Sequence, residues 1–135
     1  MIGIVVVTHD NIAQEMVETT KKILKETTGV TSVSIDSNAP VEANRRKIGE
    51  AIDKVDKGKG VLILSDMFGG TPSNLCLSFL GKSKLEVISG INLPMLIKLV
   101  SDRSKLAFEE LPQFIRDYGR KNIVIASNIL EGKIS

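Results

Sequence analysis

The 135-residue sequence contains no tryptophan, one cysteine and one histidine, and each scarcity removes a class of function. A lone Cys76 cannot form an intrachain disulfide, which favours a reducing compartment, and with no activating neighbour in sequence it reads as a small apolar core residue. One histidine, one cysteine and no clustered ligand spacing argue against a metal centre, so neither a metal nor another cofactor is expected. Aromatic residues make up only 4% of the chain, so the core must be aliphatic and few rings are available to stack on a flavin or a base. No apolar run approaches the roughly 20 residues that span a bilayer, and no basic leader precedes the first strand pattern. A cytoplasmic protein is expected. The net charge of +2 is too small to draw in nucleic acid, and Arg45-Arg46-Lys47 reads as a solvated helix face. Nucleotide signatures are missing as well. Gly81-Lys82-Ser83 has Cys76 where a phosphate-binding loop needs its first glycine, and there is neither a G-x-G-x-x-G nor a nucleophile elbow.

What is present alternates between strand and helix signals over a length that suits one domain, residues 1–135. Ile2 to Val7 is uniformly apolar, as in a strand covered on both faces. A helix is expected from Asn11 to Lys25, with Ile12, Met16, Ile23 and Leu24 inward and Gly29 ending it. Thr31 to Ile35 is the second strand. Val41 to Val55 is a helix with Ile48, Ala51, Ile52 and Val55 on one stripe. The third strand follows Gly60 and ends in Ser65. Thr71 is the expected N-cap and Pro72 the first residue of a helix that turns Leu75, Phe79 and Leu80 inward and stops near Gly81. Leu85 to Ser89 is a fourth strand, and a helix ending near Val100 follows Pro94. A last helix is expected from Lys105 to Tyr118, with Leu111, Phe114, Ile115 and Tyr118 on one face, stopped by Gly119. Asn122 to Ala126 looks like a fifth strand. The alternation predicts an α/β fold: an open, mainly parallel sheet with helices on both faces, in the flavodoxin-like order 2-1-3-4. Ligands bind such sheets where the chain direction switches, beside strand 1.

His9 ends the first strand and Asp66 follows the third, so the two side chains are expected to meet at that crevice. A neutral imidazole attacks phosphorus through one ring nitrogen while the other holds the proton. A carboxylate on the protonated nitrogen fixes the tautomer and stabilises the positive charge that develops. The incoming phosphoryl oxygens need donors. Gly69 and Gly70 permit a tight turn before a helix start, where the amides of Thr71, Ser73 and Asn74 and the Thr71 hydroxyl are candidates. No lysine or arginine lies in this stretch, which suits a site that holds phosphate briefly.

Thr8-His9, the segment Asp66-Met67-Phe68-Gly69-Gly70-Thr71-Pro72-Ser73-Asn74, and Ser89-Gly90-Ile91-Asn92-Leu93-Pro94-Met95-Leu96 together resemble the IIA component of mannose-type (mannose/fructose/sorbose) sugar phosphotransferase systems, over essentially the whole chain. The resemblance implies that His9 accepts phosphate on Nε2 from the phosphocarrier HPr and passes it to the IIB component. IIB in turn serves the membrane IIC and IID proteins. It implies that Asp66 holds the other ring nitrogen, that Thr71 lies near the phosphate and that the Asn92–Pro94 loop forms part of the rim. It also implies a homodimer in which the C-terminal strand near Asn122–Ala126 is exchanged, which would remove an apolar sheet edge. Two positions depart from the pattern: Asp10 stands where glycine is common, and Phe68 where tryptophan is frequent. The sequence ends after this region, so a separate IIB polypeptide is expected. A regulatory sensor of phosphorylation state with the same fold, and a small-molecule binder or enzyme using the crevice, are the competing readings. The sugar is not legible.

Overall fold

The computed structural model describes residues 1–81 and 84–132. Four strands, β1 (Gly3–His9), β2 (Val30–Ile35), β3 (Val61–Ser65) and β4 (Leu85–Ser89), form one sheet in the order β2-β1-β3-β4, with every neighbouring pair parallel. The predicted topology is therefore observed. The helices are α1 (Ile12–Ile23), α2 (Val41–Val55), α3 (Thr71–Leu77), α4 (Leu93–Asp102), α5 (Leu111–Lys121) and α6 (Ala126–Leu130).

Side chains alternate across the pleat, which is why the central strands are apolar at every position. Ile4, Val6, Leu62 and Leu64 point to one face and pack with Ala13 and Val17 of α1, Leu96 and Leu99 of α4, and Leu111 and Ile115 of α5. Val5, Val7 and Ile63 point to the other, against Ile48, Ile52 and Val55 of α2 and Leu75 and Cys76 of α3. At the amino end of the sheet the buried Arg103 guanidinium donates to the carbonyls of Ile2 and Thr28.

Several details differ from the sequence expectations. Ile12 and Ile23 of α1 are exposed, because the inward stripe is Ala13, Val17 and Thr20. Thr20 tolerates burial by donating its hydroxyl to the Met16 carbonyl at 2.8 Å. The helix also ends at Ile23, and Gly29 instead turns the chain into β2 at φ +74°. Leu80 is exposed, and Gly70 rather than Thr71 is the N-cap of α3. Of the Gly81-Lys82-Ser83 stretch only Gly81 is among the described residues.

Helix α5 starts at Leu111 and not at Lys105, since Pro112 belongs in a first turn and would break a helix begun earlier. Its residue Phe114 lies toward solvent, 36% exposed, while Leu111 and Ile115 are fully buried. Gly119 does not stop the helix. It is buried within α5, and a Cβ there would lie 2.3 Å from Met95 Cγ of α4.

The fifth strand is not formed. Asn122 ends α5, the chain continues outside any strand to Ile125, and α6 then begins. Ile123, Val124, Ile125, Ile129 and Leu130 are all exposed, and a strand cannot form where no sheet edge is paired with it. Sequence alone shows apolar β-branched residues, not that the segment stays unpaired with the sheet.

The α4–α5 contact yields a stability prediction. Gly119→Ala forces the buried Met95 side chain aside, and overpacking of this kind costs about 1–3 kcal/mol. Urea unfolding should show a lower midpoint; an unchanged one would mean that this helix contact has slack.

Candidate active site

β1 and β3 are direct neighbours, with Val7 opposite Ser65, so the residues just beyond them emerge side by side at the carboxyl end of the sheet. His9 Nδ1 lies 2.7 Å from Asp66 Oδ2, and the same oxygen accepts the His9 backbone N–H at 3.0 Å. The Met67 N–H donates to the other oxygen, Oδ1, at 3.0 Å. Asp66 is thus held at both oxygens, and its side chain is only 14% exposed against 42% for His9. Burial raises the Asp66 pKa, but the hydrogen bonds from the His9 ring and from the His9 and Met67 amides outweigh it, and the carboxyl titrates below its ordinary range. A carboxylate on Nδ1 selects the tautomer with the proton there and leaves Nε2 its lone pair.

Thr8 fixes the turn that carries the histidine. It is fully buried, accepts the Ala13 N–H at 2.7 Å and donates to the His9 carbonyl at 3.1 Å, so β1 and the start of α1 are tied together beneath the ring. Asn11, at the N-cap position, makes no side-chain capping bond, and the Asp10 backbone is left-handed at φ +45°.

The glycine turn lies against the imidazole. Gly69 has φ +90°, and at Gly70 a Cβ would approach His9 Cε1 to 2.9 Å and Nε2 to 3.4 Å. Only glycine lets the backbone come this near the ring. Thr71 is exposed at the start of α3, and the amides of Thr71 and Ser73 belong to a first turn, which has no helical carbonyl to bond. The Asn74 N–H, by contrast, closes that turn on the Gly70 carbonyl at 2.9 Å and is engaged within the helix.

The Ser73 side chain points elsewhere. Its hydroxyl is 3.2 Å from that of Ser89, which accepts from the Ser65 hydroxyl at 2.8 Å. Ser65 and Ser73 are fully buried, so these three hydroxyls link the ends of β3 and β4 to α3 directly below the turn. The sequence reading missed this chain; the hint was serine recurring at the carboxyl ends of two apolar strands. The Ser65 carbonyl also accepts from Gly90 and Ile91, which joins the third loop to the same point. Asn92 caps α4 through Met95 N–H and donates to the Gly119 carbonyl, so it shapes that loop rather than reaching from it.

Cys76 is fully buried, and burial, with a smaller contribution from the Asp66 charge, pushes its thiol up to about 12. It is not a nucleophile. No group of three or more potential metal ligands occurs among the described residues, and no helix there is long and apolar enough to cross a membrane.

An open parallel sheet whose switch point presents an oriented imidazole beside a glycine turn is an arrangement that can support nucleophilic group transfer. Comparison with known proteins narrows it. Residues 3–116 match the family model EIIA-man, described as the PTS system fructose IIA component, and the chain belongs to that family. The fructose-specific EIIA component of Bacillus subtilis is 26% identical over 97% of this chain and 90% of its own length. The mannose-specific EIIAB component of Escherichia coli is 32% identical over 90% of this chain, which spans only 38% of that protein. The crystal structure of a PTS IIA protein associated with the fucose utilization operon of Streptococcus pneumoniae superposes with a TM-score of 0.84 at 26% identity, covering 96% of both chains.

The depressed Asp66 pKa fixes a sign. The stabilisation from the charged carboxylate is complete above the ordinary value of 3.8 and is lost as pH falls through the lower folded value. Thermal unfolding of Asp66→Asn should therefore show a deficit against the unsubstituted protein at neutral pH that narrows below pH 3.8. A deficit constant down to pH 2 would mean that the charge is not what stabilises.

Proposed function

We propose that the chain acts as one IIA domain and as a phosphohistidine carrier, accepting a phosphoryl group from HPr on His9 and delivering it to a IIB component. Phosphotransfer in the general sense follows from the family; the route through His9 is our reading, and the His9–Asp66 geometry is the observation that carries it. The donor's N–P bond breaks as the bond from His9 Nε2 to phosphorus forms. The Nδ1 proton stays in place, hydrogen-bonded to Asp66, whose charge balances the ring as it becomes cationic. Gly69 and Gly70 bring backbone against the reacting nitrogen, and the Thr71 hydroxyl with the Thr71 and Ser73 amides would receive the phosphoryl oxygens. Each charge-assisted bond of this kind is worth about 1.5–3 kcal/mol. Asn74 contributes by holding the turn.

A protein partner suits the surroundings. Ile12, Met67 and Phe68 are 47%, 54% and 75% exposed, an apolar rim on the loops that carry the two site residues. Such a rim fits a docking surface for HPr and IIB. Sugar would then be phosphorylated by IIB on entry through IIC and IID, and the chain itself would work in the cytoplasm.

Incubation of the full chain with radiolabelled phospho-HPr tests the assignment. The expected product carries acid-labile, base-stable label that His9→Ala abolishes; label surviving that substitution would refute it. Label accepted but never passed to a cognate IIB would instead favour the regulatory sensor.

Homodimerisation is part of the same proposal. β4 is a sheet edge with every residue half-buried, and a groove of about 560 Å³ runs beside it, lined among others by Phe68, Leu77, Val87 and Pro112. The exposed apolar segment 123–125 of a second copy fits that edge. Analytical ultracentrifugation should find a dimer that the double substitution Ile123→Asp, Ile125→Asp converts to monomer. A monomeric parent protein would exclude the exchange.

A further inference from the structure

We propose that Asp10 raises the transfer potential of phosphorylated His9 by electrostatic repulsion; the inference rests on the carrier reading above. Asp10 directly follows the proposed phosphoryl acceptor and is exposed. Its carboxylate takes part in no hydrogen bond or ion pair among the described residues, and it does not cap α1, whose first turn is tied instead to the Thr8 hydroxyl. The left-handed backbone at φ +45° is one that aspartate tolerates better than most residues, so the acid is kept at a position where glycine would be the unstrained choice. The turn from Asp66 to Asn74 holds no lysine or arginine to offset the charge.

Before transfer Nε2 carries no phosphoryl group and the repulsion is absent. Afterwards a phosphoryl group of charge about −1.5 to −2 sits on that nitrogen, one residue along the chain from the exposed Asp10 carboxylate. Repulsion of this kind acts on the product and not on the starting ring, so it shifts the exchange equilibrium toward release. Asp10 makes and breaks no bond. It is a positioning charge, distinct from Asp66, which is bonded to the ring.

Coulomb's law in water, at the roughly 8–10 Å that side chains of neighbouring residues span, gives about a three- to fivefold effect at low ionic strength, fading as salt screens it. The test measures the equilibrium constant for phosphoryl exchange between phospho-HPr and the full chain, for the parent protein, Asp10→Asn and Asp10→Gly, at low salt and near 1 M salt. Both substitutions should raise the phosphorylated fraction to that extent at low salt, and the differences should shrink at high salt. An unchanged constant in Asp10→Asn, a shift confined to Asp10→Gly, a shift insensitive to salt, or an altered exchange rate with the same constant would each overturn the proposal. If the parent protein takes no label, the carrier reading falls first and this inference with it.

Discussion

The hydrogen bond between His9 Nδ1 and Asp66 Oδ2 is the constraint around which one end of the molecule is organised. It exists because β1 and β3 are adjacent and parallel, a pairing that right-handed crossovers and a doubly wound order impose long before any chemistry is considered. The register places the residue after Ser65 beside Thr8, near enough for one carboxylate oxygen to take both the backbone and the ring nitrogen of the next residue. The ring cannot rotate without giving up that contact, and its second nitrogen is therefore aimed.

Three loops meet at this end of the sheet, and each has its own anchor in the buried layer below. The β1–α1 turn rests on Thr8, the glycine turn on the serine hydroxyls, and the β4–α4 loop on the Ser65 carbonyl. All three anchors are polar groups inside an aliphatic core, and each has its partner, as burial demands. The arrangement separates two tasks. Backbone and buried hydroxyls set positions, which leaves the exposed side chains of Ile12, Met67 and Phe68 without a part in holding the loops.

Strand order, the placement of the first four helices and the His9–Asp66 pair are legible because they follow from long apolar runs and from rules about which strands can be neighbours. Single side chains were harder to read. Hydrophobicity alone turns Ile12 and Ile23 inward, whereas the spacing of Ala13, Val17 and Thr20 defines the stripe. Gly119 looked like a stop signal because a glycine is equally suited to a helix end and to a tight helix contact, and only Met95 across the interface distinguishes them. The segment from Asn122 to Ala126 has strand composition but pairs with no strand among the described residues, a fact about the surroundings that no local pattern carries. The Ser73 hydroxyl faces the core because Ser89 lies there, which no pattern local to the glycine turn reveals.

Cys76 packs one helical turn behind the glycine loop, fully buried, with its proton held up to a pKa of about 12. Peroxides, electrophiles and soft cations all act on an accessible thiolate, and this sulfur offers none near neutrality. This thiol is thereby withheld from oxidation and alkylation at neutral pH, so the one cysteine of the sequence adds no redox chemistry at this end of the sheet.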